Sequence, residues 1–162
     1  MLRNRFGFLL VLITALGALV AALFSQHVLG MLPCAWCILQ RGLFLLIAGW
    51  ALIGFLGASF RFWCRLNWIL ILTTAIAGIA TAWHQLTVAA KAFSCDQTLA
   101  DRIISTTGLD ASVPWFFGIY ATCLDASVKV LGLDFAAWGL VLFSIYALYA
   151  LVMLVQSGRR FQ

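Results

Sequence analysis

This sequence has little charge. Of its 162 residues ten are basic and five acidic, 9% in all, while 65% are hydrophobic. Soluble domains carry about 25% charged and about 45–50% apolar residues. A soluble fold of this composition would expose large apolar patches and aggregate. A disordered chain needs the opposite balance, few apolar residues and many charges. Internal repeats and low-complexity tracts are also lacking. What is left is an integral membrane protein, small enough for one domain over residues 1–162.

Four stretches are long enough to cross a bilayer as helices, which takes about 20 mostly apolar residues. They run from Phe6 to Phe24, Gly42 to Phe60, Leu66 to Trp83 and Phe135 to Val155, and none contains a charged residue. The expected fold is therefore an all-α bundle of four transmembrane helices. Gly78 and Ala82 form a small-xxx-small pair that lets helices approach closely.

The few charges sort by position. Arg3 and Arg5 precede the first span, Arg61 and Arg65 lie in the link between the second and third, and Arg159 and Arg160 follow the fourth. That side has no acid. The other side holds Arg41, Lys91, Arg102 and Lys129 with Asp96, Asp101, Asp110, Asp125 and Asp134. Basic residues in short loops stay cytoplasmic. Both termini are expected inside, with a short loop at 25–41 and a long one at 87–134 outside. The net charge of +5 is then a topology signal, and nucleic acid is not an implied partner. A cleavable signal peptide ending near Ala21–Ala22 is the rival reading. The first apolar run is longer than the usual h-region of about 7–15 residues, which argues against it.

This sorting puts four cysteines outside and one inside, which fits an oxidising exterior and a reducing cytosol. Cys34 and Cys37 form C-A-W-C before the second span, Cys95 and Cys123 lie in the long outer segment, and Cys64 is inside. A c-type haem site would need His after the motif, where Ile38 stands. A thioredoxin-like site would sit in a βαβ unit, and here membrane spans flank it. Two readings without redox chemistry remain, a four-thiolate zinc site and a pair of structural disulfides. Zinc ligands usually repeat a short spacing, which Cys95 and Cys123 lack. A closed C-x-x-C ring constrains few residues of the unfolded chain, so it is a poor staple. Redox chemistry is favoured.

A thiolate is the nucleophile in thiol chemistry, and helix N-termini and cations stabilise it. Pro33 precedes the motif, so Cys37 falls near the start of the second span, and Arg41 follows on the same helical face. A guanidinium there would stabilise a Cys37 thiolate; the plainer reading is an arginine snorkelling to headgroups. Ser94 and Gln97 make a capping box that would start a short helix through Ile104. Leu99, Ile103 and Ile104 would give it an apolar side that lies along the membrane surface. His84 ends the third span at the depth of Arg41, either as an interfacial polar residue or as a contact to a membrane-soluble ligand. Trp115, Phe116 and Phe117 read as an aromatic belt. Cys64 reads as a reduced bystander.

These features resemble the DsbB family of bacterial inner-membrane disulfide-generating proteins. The stretch F-S-Q-H-V-L-G-M-L-P-C-A-W-C-I-L-Q-R at Phe24–Arg41 is similar to the family's first-loop signature. W-H-Q at Trp83–Gln85 and G-L-D before the fourth span are similar too. Many members carry Glu just before the arginine, where this chain has Gln40. The resemblance implies an oxidoreductase that passes electrons from a periplasmic thioredoxin-fold oxidase, DsbA-like, to ubiquinone or menaquinone in the bilayer. It implies that the partner attacks Cys95, that Cys123 is released and exchanges with Cys34, and that Cys37 faces the quinone. Arg41 and His84 would join Cys37 in binding quinone, and the Lys91–Gln97 segment would fit the partner's groove. The alternative class is a non-enzymatic membrane protein with structural disulfides or zinc.

Overall fold

The computed structural model describes residues 2–89, 99–122, 129–130 and 132–158. Its helices are α1 (Leu2–His27), α2 (Ala35–Leu56), α3 (Arg61–Thr87), α4 (Leu99–Thr107), α5 (Leu109–Ser112), α6 (Pro114–Phe117) and α7 (Phe135–Gly158). Two short strands, β1 (Lys129–Val130) and β2 (Leu133–Asp134), pair antiparallel just before α7. Helices α1, α2, α3 and α7 are long and apolar enough to cross a membrane, as the four hydrophobic stretches predict. They form an all-α bundle in which α3 packs most extensively on α7, and α2 packs on both α1 and α3.

The ends of the spans differ from the sequence expectation in two places. Helix α2 begins at Ala35, so the first loop shrinks to residues 28–34. Pro33 cannot continue a helix backward, Cys34 is the extended N-cap (φ −87°, ψ 170°), and the Ile38 N–H donates to the Cys34 carbonyl at 3.1 Å. The motif is thus the first helical turn, because nothing in A-W-C-I-L-Q-R opposes a helix. At the other end Gly57 caps α2 and residues 57–60 make the whole link. Arg61 and Arg65 therefore belong to the opening turns of α3. Arg5 donates to Ser59 Oγ at 3.4 Å, which ties the start of α1 to that link.

Aromatic rings fill the middle of the bundle. Phe8 stacks on Trp68 at 4.2 Å and Phe44 on Phe143 at 4.3 Å, with Tyr146 edge-on to Phe44. The rings fit because two facing positions lack a side chain. A Cβ at Gly54 would collide with the Phe8 ring, and one at Gly78 with the Phe143 ring. The small residue at 78 thus makes a notch for a ring. Tyr146 donates to Thr14 Oγ1 at 3.2 Å, so its hydroxyl is satisfied in the core.

The outer segment is folded onto the bundle. Helix α4 buries Ala100 and Ile104 against Cys34, Ala35, Trp36 and Ile38. Leu99 and Ile103 stay exposed. The expected surface helix thus uses an i, i+4 pair to cover the start of α2, and its apolar side is split between protein and surroundings. The proposed capping box lies outside the described residues. The aromatic triplet is also divided: Trp115 is exposed, while Phe116 and Phe117 turn inward.

Candidate functional site

Chain direction and capping place the two motif cysteines differently. Cys34 sits at the N-cap beneath α4 and is 1% exposed. Cys37, in the first turn, is partly exposed. Cys34 Sγ donates to Cys37 Sγ at 3.3 Å. The two sulfurs are close enough for an exchange that passes from one to the other, and only Cys37 reaches an opening.

That opening is a cavity of about 310 Å³ between α1, α2 and α7. Ala18, Ala22, Leu32, Phe135, Trp138 and Leu142 are among its apolar walls, and Cys37, Gln40 and Arg41 bring the polar groups. The size is at the lower end of the range for small-molecule sites, about 300–1,000 Å³.

Arg41 is 5% exposed and does not snorkel. It donates to Gln26 Oε1, to the Ala22 carbonyl at 3.1 Å and to the Phe116 carbonyl at 3.2 Å. Two of these partners lie in the last turns of α1, the Gln26 side-chain oxygen and the Ala22 carbonyl, which also accepts from Ser25 Oγ at 2.8 Å. The turn after α1 keeps them in place: Gly30, at φ +65°, lets the Met31 N–H reach back to the Ser25 carbonyl at 3.1 Å. Helix α6 supplies the third partner, so the outer segment closes over the guanidinium. Described residues use three of its five N–H donors.

His84 lies on the other side of α2. Its ring stacks on Trp36 at 4.6 Å, is exposed, and is not among the residues lining the cavity. The structure therefore brings Cys34, Cys37 and Arg41 together, and puts His84 apart from them. Cys95 and Cys123 lie outside the described residues, as does the Lys91–Gln97 segment. Cys64 is buried at the opposite end of the bundle and donates to the Ala58 carbonyl at 3.5 Å.

Three glutamines around the motif have a part that sequence reasoning did not assign. Gln26 holds Arg41, Gln40 donates to Gln85 Oε1 at 2.7 Å, and Gln85 donates to Cys37 Sγ at 3.2 Å and to Cys34 Sγ at 3.6 Å. All three are buried. A signal existed: uncharged polar side chains near the end of an apolar helix must find partners inside the bundle.

Known proteins share this arrangement of sequence. The family model described as disulfide bond formation protein DsbB matches residues 4–153. The chain belongs to the DsbB family. It is 35% identical over 161 residues to disulfide bond formation protein B 1 of Pseudomonas fluorescens, covering 98% of this chain and 92% of that one. The protein of the same description from Pseudomonas savastanoi is 33% identical over 161 residues, covering 98% and 95%. Disulfide bond formation protein B of Burkholderia pseudomallei is 29% identical over 159 residues, covering 98% and 94%. Membership supports a role in disulfide formation, which fits a C-x-x-C pair at the end of a membrane bundle.

Proposed function

We propose that this chain is a quinone-dependent thiol oxidase that reoxidises a periplasmic dithiol oxidase of the DsbA kind. The observation that carries the proposal is the position of Cys37. It lines an apolar cavity next to a buried arginine, and its partner sulfur lies 3.3 Å behind it. The side on which the arginines collect would face the cytoplasm of a bacterial inner membrane, which puts the cysteine end in the periplasm.

A partner thiolate attacks Cys95 of a Cys95–Cys123 disulfide, and the Cys123 thiolate leaves. The partner's second thiol then displaces Cys95, and the partner carries away a disulfide. Cys123 passes the reducing equivalents on by attacking Cys34 of a Cys34–Cys37 disulfide. Cys37 leaves as a thiolate, and attack by Cys95 on the mixed disulfide restores the outer pair. Because Cys34 is buried under α4, that attack requires α4 to shift from the start of α2.

The cavity suits a quinone. Its walls are mostly apolar, Cys37, Gln40 and Arg41 supply polar groups to its lining, and two Arg41 N–H donors are not taken up by described residues. Arg41 would hold the ring. Quinone supplies an acceptor for the two electrons and two protons of the Cys34–Cys37 dithiol. Arg41 would also hold the Cys37 thiolate by its charge.

Purified protein supplied with quinone should reoxidise reduced partner through many turnovers, and Cys37→Ser should abolish this. Retained turnover in that variant would overturn the mechanism. One zinc per chain, with no turnover by the unaltered protein, would instead establish the non-enzymatic reading.

A further inference from the structure

The cavity and Arg41 occupy one flank of Cys37. The other flank, toward α3, holds the buried amide of Gln85, and Gln40 runs from the cavity wall to meet it. Gln85 is 5% exposed and Gln40 is 7% exposed. Gln40 Nε2 donates to Gln85 Oε1 at 2.7 Å, and Gln85 Nε2 donates to Cys37 Sγ at 3.2 Å. The space for Gln40 is provided by α7. A Cβ at Gly139 would stand 2.8 Å from Gln40 Oε1.

We infer that Gln85 is a positioning residue for the reduced cysteine pair, and that Gln40 sets the direction in which the Gln85 amide points. An amide has an accepting end and a donating end. Since Gln85 accepts from Gln40, its N–H end must turn to the sulfur. A thiolate is a strong acceptor and a disulfide sulfur a weak one, and charge-assisted hydrogen bonds are about twice as strong as neutral ones. The Gln85 N–H therefore favours the reduced pair with Cys37 ionised. The inference rests on the proposed redox role of the Cys34–Cys37 pair.

This order of donors has a distinct consequence. Glutamate at position 40, once ionised, could only accept. The Gln85 NH₂ would then turn toward the carboxylate, and its oxygen would face Cys37. A change at a residue that makes no hydrogen bond to either sulfur would thus remove the donor from Cys37.

The test is a redox titration of the purified full chain in glutathione buffers. Acid quenching, alkylation and mass spectrometry of the Cys34–Cys37 peptide give the fraction reduced. Gln85→Met keeps the side-chain length and removes the donor. It should lower the ratio of dithiol to disulfide at a fixed glutathione poise about tenfold, which is about 30 mV for two electrons. Gln40→Glu should move it the same way, and should add little in the Gln85→Met background. If Gln85→Met does not fold, Gln85→Leu takes its place alone and with Gln40→Glu, since it too removes the donor.

An equilibrium within about twofold of the unaltered protein for either variant would overturn the inference and leave the proposed function standing. So would an equal effect of Gln40→Glu with and without Gln85, because Gln40 would then act on the sulfurs directly. If the unaltered pair did not interconvert in any buffer, the proposed function itself would fail.

Discussion

The two flanks of Cys37 are built in opposite ways. Toward α1 and α7 there is open, mostly apolar space with one buried cation at its end. Toward α3, among the described residues, the buried Gln85 amide lies against Cys37, tied to Gln40 of the cavity wall, and His84 stacks on Trp36 next to it. Open volume beside a charge suits a ligand that comes and goes; a packed amide suits holding a sulfur in one place. That difference is why we propose ligand binding on one flank and positioning on the other, although both flanks hold polar residues near the same end of the bundle. Depth alone, which is what a hydropathy pattern reports, does not separate them.

Four substitutions test that division, from the largest expected effect to the smallest. Arg41→Ala removes the cation from the open flank. The apparent quinone KM should rise about ten- to a hundredfold, the range for hydrogen bonds to a charged group. An unchanged KM in steady-state assays would take the ligand off this flank. Ala18→Phe places a ring in the cavity without touching either sulfur. It should raise KM several-fold while the Cys34–Cys37 redox equilibrium stays put; a shift in that equilibrium would show that the flanks are not separable.

His84→Ala acts on the packed flank. Loss of the ring contact with Trp36 should cost about 0.5–1.5 kcal/mol of stability, read in a thermal melt. Quinone KM should stay within about twofold, since His84 does not line the cavity; a tenfold rise would join the two flanks into one ligand site. Cys64→Ser lies at the far end of the bundle and should leave turnover unchanged. A clear loss there would reveal coupling along the length of the helices.

The membrane class, the four helices and their order were legible from apolar runs, because lipid demands continuous helical backbone. The helix ends were less so. A window of hydropathy stops at Arg41, while the α2 backbone continues back to Ala35, since a buried arginine is compatible with a helix once the Ala22 carbonyl and the Gln26 side chain of α1 receive it. The closeness of Cys37 and Arg41 could be read from their i, i+4 spacing. The separation of His84 from Arg41 could not. Both lie near the same end of the bundle, and which way each faces depends on how α2 packs between α1 and α3. The role of Gln85 was hidden for the same reason, since its partners Gln40 and Cys37 are on another helix.

The central claim is that the cavity between α1, α2 and α7 receives the quinone. Photoaffinity labelling with an azido-quinone, followed by peptide mapping of the full chain in lipid, tests it most directly. The account predicts labels on the cavity walls, around Ala18–Ala22, Met31–Pro33 and Phe135–Leu142, that excess unlabelled quinone removes. Competable labelling concentrated on α3 around His84, with those walls unlabelled, would contradict it.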